Sequence, residues 1–97
     1  MNYWLHPAAA EEHTRQVTYY EESQVGLGRR YHSEFVDTIS RVCADPKISR
    51  VAHAPDLRLA MFKNFHFDVM DREVEGSVHA LAVGHHRREP GYWAARL

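Results

Sequence analysis

Hydrophobic residues recur with two different periods along this chain. In the first half they return every three or four positions, which is the spacing of one face of an α-helix. This spacing predicts a helix that begins at Pro7 and a second helix over residues 29–44. Gly26-Leu27-Gly28 separates them, so the two helices should form an antiparallel hairpin. We expect four aromatic residues at their interface: Tyr19, Tyr20, Tyr31 and Phe35.

The second half is predicted to form strands. Residues 47–56 are predicted to be an irregular loop that crosses the domain, with prolines near both ends. The period then changes to two, as on strands: over 59–62 Leu and Met alternate with Ala and Phe, and over 65–70 Phe, Phe and Val alternate with His, Asp and Met. Glu75-Gly76 is a turn signal, and residues 78–83 are largely apolar on both faces, which is typical of an interior strand. The short connections favour antiparallel pairing.

A short run of Tyr3, Trp4 and Leu5 predicts one more strand before the first helix. The order of elements is then β-α-α-β-β-β. We therefore predict the α+β class, with a small antiparallel sheet packed against an N-terminal helical hairpin. With 97 residues, of which 44% are hydrophobic and 26% charged, the chain can form one globular core, so residues 1–97 are predicted to be a single domain.

Charge and cysteine content narrow the functional classes. The formal net charge is −1, whereas proteins that bind nucleic acid through its backbone usually carry a basic excess. We therefore expect no direct sequence-specific binding to nucleic acid. The single cysteine, Cys43, cannot form an internal disulfide, which favours a reducing compartment. Residues 1–10 lack the pattern of a secretory signal, and no apolar stretch is long enough to span a membrane, so we predict a cytoplasmic protein that makes no membrane contact.

The eight histidines do not suggest a metal centre. Most show no spacing typical of metal ligands, and the adjacent His85 and His86 should point to opposite faces of a strand. No phosphate-binding loop or catalytic triad can be assigned. The sequence therefore predicts no metal and no cofactor.

The C-terminal segment carries the candidate site. An apolar run that ends at Val83 leads into two His, two Arg and a Pro-Gly-Tyr-Trp turn. A strand that leaves the core into cations and aromatic rings can present a binding site at a sheet edge. Two simpler alternatives remain, namely that the Arg pair is a solvated strand end and that the aromatic pair packs back on the sheet. The candidate target-binding residues are His85, His86, Arg87, Arg88, Tyr92 and Trp93.

Several motifs, in their order along nearly the whole chain, resemble the ParE/RelE superfamily of toxins from bacterial type II toxin–antitoxin pairs. The resemblance is nearer to the ParE branch. Where members of that branch have a Phe-Pro-Tyr strand, this chain has His in place of Pro. The motifs are Pro7-Ala8-Ala9, Tyr19-Tyr20-Glu21-Glu22, Gly26-Leu27-Gly28, Phe65-His66-Phe67, and a C-terminal apolar run followed by His, paired Arg and Pro-Gly-Tyr-Trp.

The resemblance implies the toxic half of such a pair. A cognate antitoxin, encoded beside it, would bind along the helical hairpin or the sheet edge and neutralise it. The ParE branch resembles inhibitors of DNA gyrase that arrest growth and stabilise plasmids without being enzymes. The RelE branch implies instead a metal-independent endoribonuclease that cuts messenger RNA on the ribosome.

The chemistry of RNA cleavage tests these alternatives. Cleavage needs a base, an acid and cations around the phosphate. The predicted middle strands carry Asp68, Asp71 and Glu73 where a basic groove would be needed, and the net charge gives weak attraction to RNA. The sequence therefore favours inhibition of gyrase or another protein target, with the ribonuclease as one alternative and a non-toxic protein-binding module as another. The ribonuclease candidates are Arg58, Lys63, His86, Arg87, Arg88 and Tyr92.

Overall fold

The computed structural model describes residues 2–86, 88 and 91–97, and in it two helices follow the first strand and pack on a five-stranded sheet. The predicted α+β class and its helical hairpin are confirmed. No helix of the described residues is long and apolar enough to cross a membrane. In chain order the elements are β1 (Asn2–Leu5), α1 (Pro7–Ser23), α2 (Leu27–Ala44), β2 (Arg50–His53), β3 (Leu57–Met61), β4 (Phe67–Val74), β5 (Ser77–His85) and a short 3₁₀ helix (Ala94–Arg96).

The sheet has the strand order β1-β5-β4-β3-β2. Strands β3, β4 and β5 form the predicted antiparallel arrangement, and the two-residue turn Glu75-Gly76 joins the last two, with positive φ at both positions. The sheet is mixed rather than wholly antiparallel, because β1 pairs in parallel with β5.

The prediction of an irregular loop over residues 47–56 was wrong in part. Residues 50–53 form β2, which pairs antiparallel with β3 at the edge of the sheet. The register shifts between Val51 and His53, and this irregularity interrupts the two-residue alternation that marks a strand. Most of the strand is also exposed, so hydrophobicity gave little signal.

The helical hairpin depends on one close approach at Gly28. A Cβ atom at this position would lie 2.5 Å from the carbonyl oxygen of Val17, so a larger residue would push the helices apart. The Glu21 carboxylate, from the last turns of α1, accepts hydrogen bonds from the N–H groups of Gly26 at 2.8 Å and Gly28 at 3.0 Å. It thereby satisfies free donors at the N-terminus of α2, which begins at Leu27, two residues earlier than predicted.

The core between the hairpin and the sheet is rich in aromatic rings. Tyr31 is fully buried, and Phe35 is buried beside it in the same cluster. Tyr20 packs against this cluster, but the predicted interface position of Tyr19 was wrong because its side chain is 63% exposed. Four rings lie 5.2–5.3 Å from the ring of Tyr31, measured between centroids: Tyr20, Phe62, Phe65 and Phe67.

Two buried side chains titrate far from their ordinary ranges. His13 of α1 lies with Nε2 2.9 Å from Nδ1 of His32 of α2, and burial together with the charge of His32 lowers the pKa of His13 to about 4. Asp71 of β4 is 2% exposed, and its Oδ2 has no hydrogen-bond partner among the described residues. Burial raises the pKa of Asp71 to about 7, although the charge of Arg58 acts in the opposite direction. Both groups therefore make stability depend on pH.

Substitution of Gly28 by Ala should destabilise the protein by about 1–3 kcal/mol, because overpacking at the helix crossing outweighs the advantage of roughly 1 kcal/mol that Ala usually has over Gly in a helix. Urea unfolding followed by circular dichroism measures the change. Ser33→Ala, at an exposed position of the same helix, is the control and should have little effect. A Gly28→Ala variant more stable than the wild type would contradict the close packing.

The pKa of Asp71 is raised in the folded protein, so ionisation of this carboxyl destabilises the fold. The free energy of unfolding is therefore highest below pH 3.8, where the carboxyl is protonated in both states, and it falls as the pH rises to about 7. Asp71→Asn should therefore increase the free energy of unfolding at pH 8 by on the order of 2–4 kcal/mol and change it little at pH 4. Urea unfolding at several pH values measures this difference. Equal effects at pH 4 and pH 8 would show that Asp71 titrates normally in the folded protein.

The pKa of His13 is lowered, so its contribution has the opposite dependence. Stability is lost as the pH falls from 6.5 to about 4, by at most about 3 kcal/mol, because the unfolded chain binds a proton that the folded chain excludes. His13→Gln should abolish this loss in the same unfolding series. The control is His66→Gln, an exposed position, which should retain it. If both variants keep the loss on acidification, His13 is not its source.

Candidate functional site

A cleft of about 230 Å³ lies on the face of the sheet opposite the helices. Alternation along β4 places Asp68 and Met70 on this face, with Val69 between them on the helical face. Strands β2 and β3 supply one side of the cleft, and the end of β5 with the C-terminal segment supplies the other. The lining residues used below are Arg50, His53, Asp68, His86, Arg88 and Trp93.

The predicted target-binding residues come together in this cleft. Five of the six contribute to its lining: His85, His86, Arg88, Tyr92 and Trp93. The sixth, Arg87, lies outside the residues that the structure describes. Only the pairing of β2 with β3 adds Arg50 and His53, and we found no sequence signal for them because the irregular register of β2 hides its alternation.

The predicted ribonuclease residues do not all come together. Arg58 pairs across the sheet with Asp71, away from the cleft, and its guanidinium donates to the carbonyl oxygens of Lys47 and Ser49. Lys63 is exposed in the turn after β3, where its backbone N–H donates to Glu34 at 2.7 Å. Of that predicted set, only His86, Arg88 and Tyr92 are described as lining the cleft.

The two aromatic residues of the C-terminal turn pack back on the sheet, as one of the simpler alternatives predicted. The Tyr92 hydroxyl occupies the space where a Cβ of Gly84 would lie, and the guanidinium of Arg88 lies 4.2 Å from the centroid of its ring. Burial raises the pKa of Tyr92 to about 12. Trp93 is only 9% exposed, and its ring lies 4.7 Å from that of His53, measured between centroids.

An ion pair between Glu12 and Arg96 fixes the C-terminal segment to α1. The two terminal nitrogens of Arg96 donate to the two carboxylate oxygens of Glu12, both at 2.8 Å. The same groups bond to β5, where Glu12 accepts from the N–H of Val83 at 3.3 Å and Arg96 donates to the carbonyl of Leu81 at 3.1 Å. The pairing of β1 with β5 ends at Ala80. Beyond that point Glu12 and Arg96 provide hydrogen-bond partners for backbone groups at the edge of β5 that no strand pairs.

The ion pair is largely sheltered from water. The side chains of Arg96 and Glu12 are 14% and 10% exposed, and Arg88 approaches the same carboxylate at 3.1 Å. Burial alone would raise the pKa of Glu12. The hydrogen bonds and charges supplied by Arg96, Val83 and Arg88 outweigh burial and hold the pKa of Glu12 below its ordinary value. The carboxylate is therefore ionised at neutral pH and holds both arginines.

Asp68 on the floor of the cleft is in a different situation. It is 8% exposed, yet its carboxylate accepts no hydrogen bond from any residue that the structure describes. Burial raises the pKa of Asp68, and the charges of His86, Arg50 and His85 oppose this shift. Unlike Oδ2 of Asp71, no oxygen of Asp68 is among the enclosed atoms that lack a partner, so the carboxylate faces the open cleft.

Three imidazoles lie beside the cleft. The ring centroids of His66, His85 and His86 are 5.9–6.3 Å apart, and Nε2 of His86 lies 3.1 Å from the carbonyl oxygen of Phe67. Within residues 2–86, 88 and 91–97, no group of three His, Cys, Asp or Glu side chains could hold a metal ion.

Replacing Glu12 with Gln should lower the free energy of unfolding by about 2–4 kcal/mol, because Arg96 would keep a sheltered charge without its partner. Glu11→Gln is the matched control, since Glu11 forms an exposed ion pair with Arg15 on the same helix and should contribute less than about 1 kcal/mol. Urea unfolding and the rate of trimming by a carboxypeptidase measure the effect. Equal results for the two variants would contradict a role for Glu12 in holding the C-terminal segment.

Comparison with known proteins adds no further assignment. The sequence matches no protein-family model and no curated protein. Conclusions about function therefore depend on the sequence motifs and on the geometry of the cleft.

Proposed function

We propose that this protein is the toxin of a type II toxin–antitoxin pair and that it arrests growth by binding a protein target, DNA gyrase in the first instance. The motifs in their ParE-like order support this proposal. The observation that supports it most is that His86, Arg88, Tyr92 and Trp93, from the ParE-like C-terminal motif, line one cleft. The activity is inhibition by binding, without a cofactor, in the cytoplasm.

The charge and packing of the cleft favour a protein target over RNA. Two of the cations that cleavage would use, Arg58 and Lys63, do not line it. Its floor carries the Asp68 carboxylate, which offsets part of the positive charge of Arg50 and Arg88 in the lining. The aromatic rings are also poorly available for stacking on bases, because Arg88 lies over Tyr92 and Trp93 is buried. A ribosome-dependent ribonuclease is therefore the weaker candidate.

The cognate antitoxin requires a separate surface. A groove of about 540 Å³ lies between α1 and the end of β5, lined in part by Arg15, Tyr19, Tyr20 and Arg88. Its mixture of cations and aromatic rings suits an acidic and apolar segment of a partner protein. An antitoxin in this groove would contact Arg88, which also lines the cleft, and could thereby block the target site.

The proposal is tested by inducing expression in a bacterial host, with and without the neighbouring gene. We expect growth arrest with a DNA-damage response, relieved by the neighbour, and inhibition of gyrase supercoiling by the purified protein. Arg88→Gln should weaken inhibition by about tenfold, as for a charged residue central to an interface. Arg30→Gln, exposed on α2, is the control and should leave inhibition unchanged.

Other outcomes point to the alternatives. Arrest without DNA damage, together with cut messenger RNA on translating ribosomes, would assign the protein to the ribonuclease branch. Absence of arrest in the presence of folded protein would contradict the toxin function and leave a protein-binding module.

A further inference from the structure

The edge strand β1 exposes two large aromatic residues. Among the residues that the structure describes, only β5 pairs with β1, so its outer side is open. Tyr3 is 49% and Trp4 45% exposed. Leu5 packs against the core under the helices, so Tyr3 shares that face of the sheet, whereas the ring of Trp4 lies 5.1 Å from that of His79 on the opposite face. Exposed aromatic residues at an open sheet edge indicate a surface on which another strand can pair.

The two edges of the sheet differ in their protection against such pairing. Strand β2, at the other edge, exposes the charge of Arg50 and has an irregular register between Val51 and His53. Charged residues and irregular register are features that hinder the addition of a further strand. Strand β1 has the sequence Asn-Tyr-Trp-Leu, without a charge, and pairs with β5 in regular register. Both strands have four residues, so length does not distinguish them.

The hydrogen bonds to β5 determine which backbone groups of β1 face outward. The N–H of His6, directly after the strand, donates to the carbonyl oxygen of Ala80 at 2.9 Å. Backbone groups alternate in direction along a strand, so the groups of the even-numbered residues face β5 and those of Tyr3 and Leu5 face away from it. No described residue bonds to these outward groups. They are therefore free to pair with a second strand.

A second copy of β1 fits these outward groups. We propose that β1 pairs antiparallel with β1 of a second copy of the chain, across a twofold axis at Trp4. In this register Tyr3 exchanges N–H and C=O hydrogen bonds with Leu5 of the second copy, and Leu5 does so with Tyr3 of the second copy. Trp4 lies opposite its own counterpart in a non-hydrogen-bonded pair, where cross-strand side chains approach most closely.

The chemistry of the strand favours a second copy over a different partner. Each pair in this register is apolar or aromatic, with Tyr3 against Leu5 and Trp4 against Trp4, and β1 carries no charge that would select an oppositely charged partner. The axis is perpendicular to the sheet, so the helices of both copies lie on the same face and one sheet continues through the dimer. No residue of β1 lines the cleft or the groove, so the dimer is independent of the proposed function.

The exposed area predicts a weak dimer. A fully buried aromatic residue removes about 150–250 Å² from water, and roughly half of Tyr3 and of Trp4 is available, which gives on the order of 400 Å² for the aromatic residues of both copies. Stable interfaces bury at least about 1,200 Å². The association should therefore be reversible and depend on concentration.

The test is sedimentation velocity of the full chain from about 10 µM to 1 mM, the range in which an interface of this size should associate. Trp4→Lys and Trp4→Glu should each weaken the dimer by about tenfold or more, because the aromatic pair is lost and like charges meet at the axis. An equimolar mixture of the two variants should associate again, because opposite charges then face each other. Val51→Lys, an exposed position on the opposite edge, is the control and should leave the dimer unchanged.

A cysteine cross-link tests the register directly. Trp4→Cys in a Cys43→Ser background should form an intermolecular disulfide under mild oxidation, because the Cα atoms of a non-hydrogen-bonded pair lie about 4.5 Å apart, within the range of disulfides. Tyr3→Cys in the same background is the matched control. Its counterpart lies two residues further along the second strand, so it should cross-link much more slowly. Circular dichroism shows whether each variant is folded.

Several results would overturn the inference. These are a monomer at every concentration, a dimer that both Trp4 variants retain, or equal cross-linking at positions 3 and 4. Loss of the dimer in Val51→Lys would also overturn it and would assign the contact to the β2 edge. Growth arrest is a separate result, since a dimer without arrest contradicts only the toxin function, and arrest by a strictly monomeric protein contradicts only the pairing of β1.

Discussion

The ion pair between Glu12 and Arg96 is the interaction on which the candidate site depends. The two residues are 84 positions apart, and their contact closes the chain on itself. Because β1 pairs with β5 only up to Ala80, the rest of that strand edge would otherwise present unpaired backbone groups. The carboxylate and the guanidinium satisfy two of these groups and hold the end of the chain against α1. One interaction thus completes the sheet and fixes the C-terminal segment.

The cleft follows from this attachment. With the C-terminal segment held, Trp93 packs on the face of the sheet opposite the helices, and Tyr92 lies against Gly84. Both aromatic residues line the cleft together with Asp68. Burial of the Asp68 carboxylate is unfavourable for its charged form, and the nearby charges of His86, Arg50 and His85 partly offset that cost. The toxin function proposed for the cleft depends on this arrangement.

Much of the fold could be predicted because its signals are local. The periods of 3.6 and 2 marked both helices and three strands, and Glu75-Gly76 marked the turn between β4 and β5. The C-terminal residues of the candidate site were also found in advance, since they are close together in sequence. Strand β2 was missed because its irregular register and exposure removed the periodic signal. Tyr19 was misplaced because adjacent residues on a helix point in different directions, and only Tyr20 faces the core.

By itself the sequence determined the α+β class, the helical hairpin and the cation-rich, aromatic end of the last strand. The tertiary structure alone decided that β1 runs parallel to β5 and that Arg50 faces the same cleft as Asp68. It also decided that Arg58 lies on the other face of the sheet and that Glu12 binds Arg96. The physical reason is the distance along the sequence over which each interaction acts. Periodicity and turn chemistry involve only a few neighbouring residues, whereas strand pairing and buried ion pairs join segments that are far apart in the sequence.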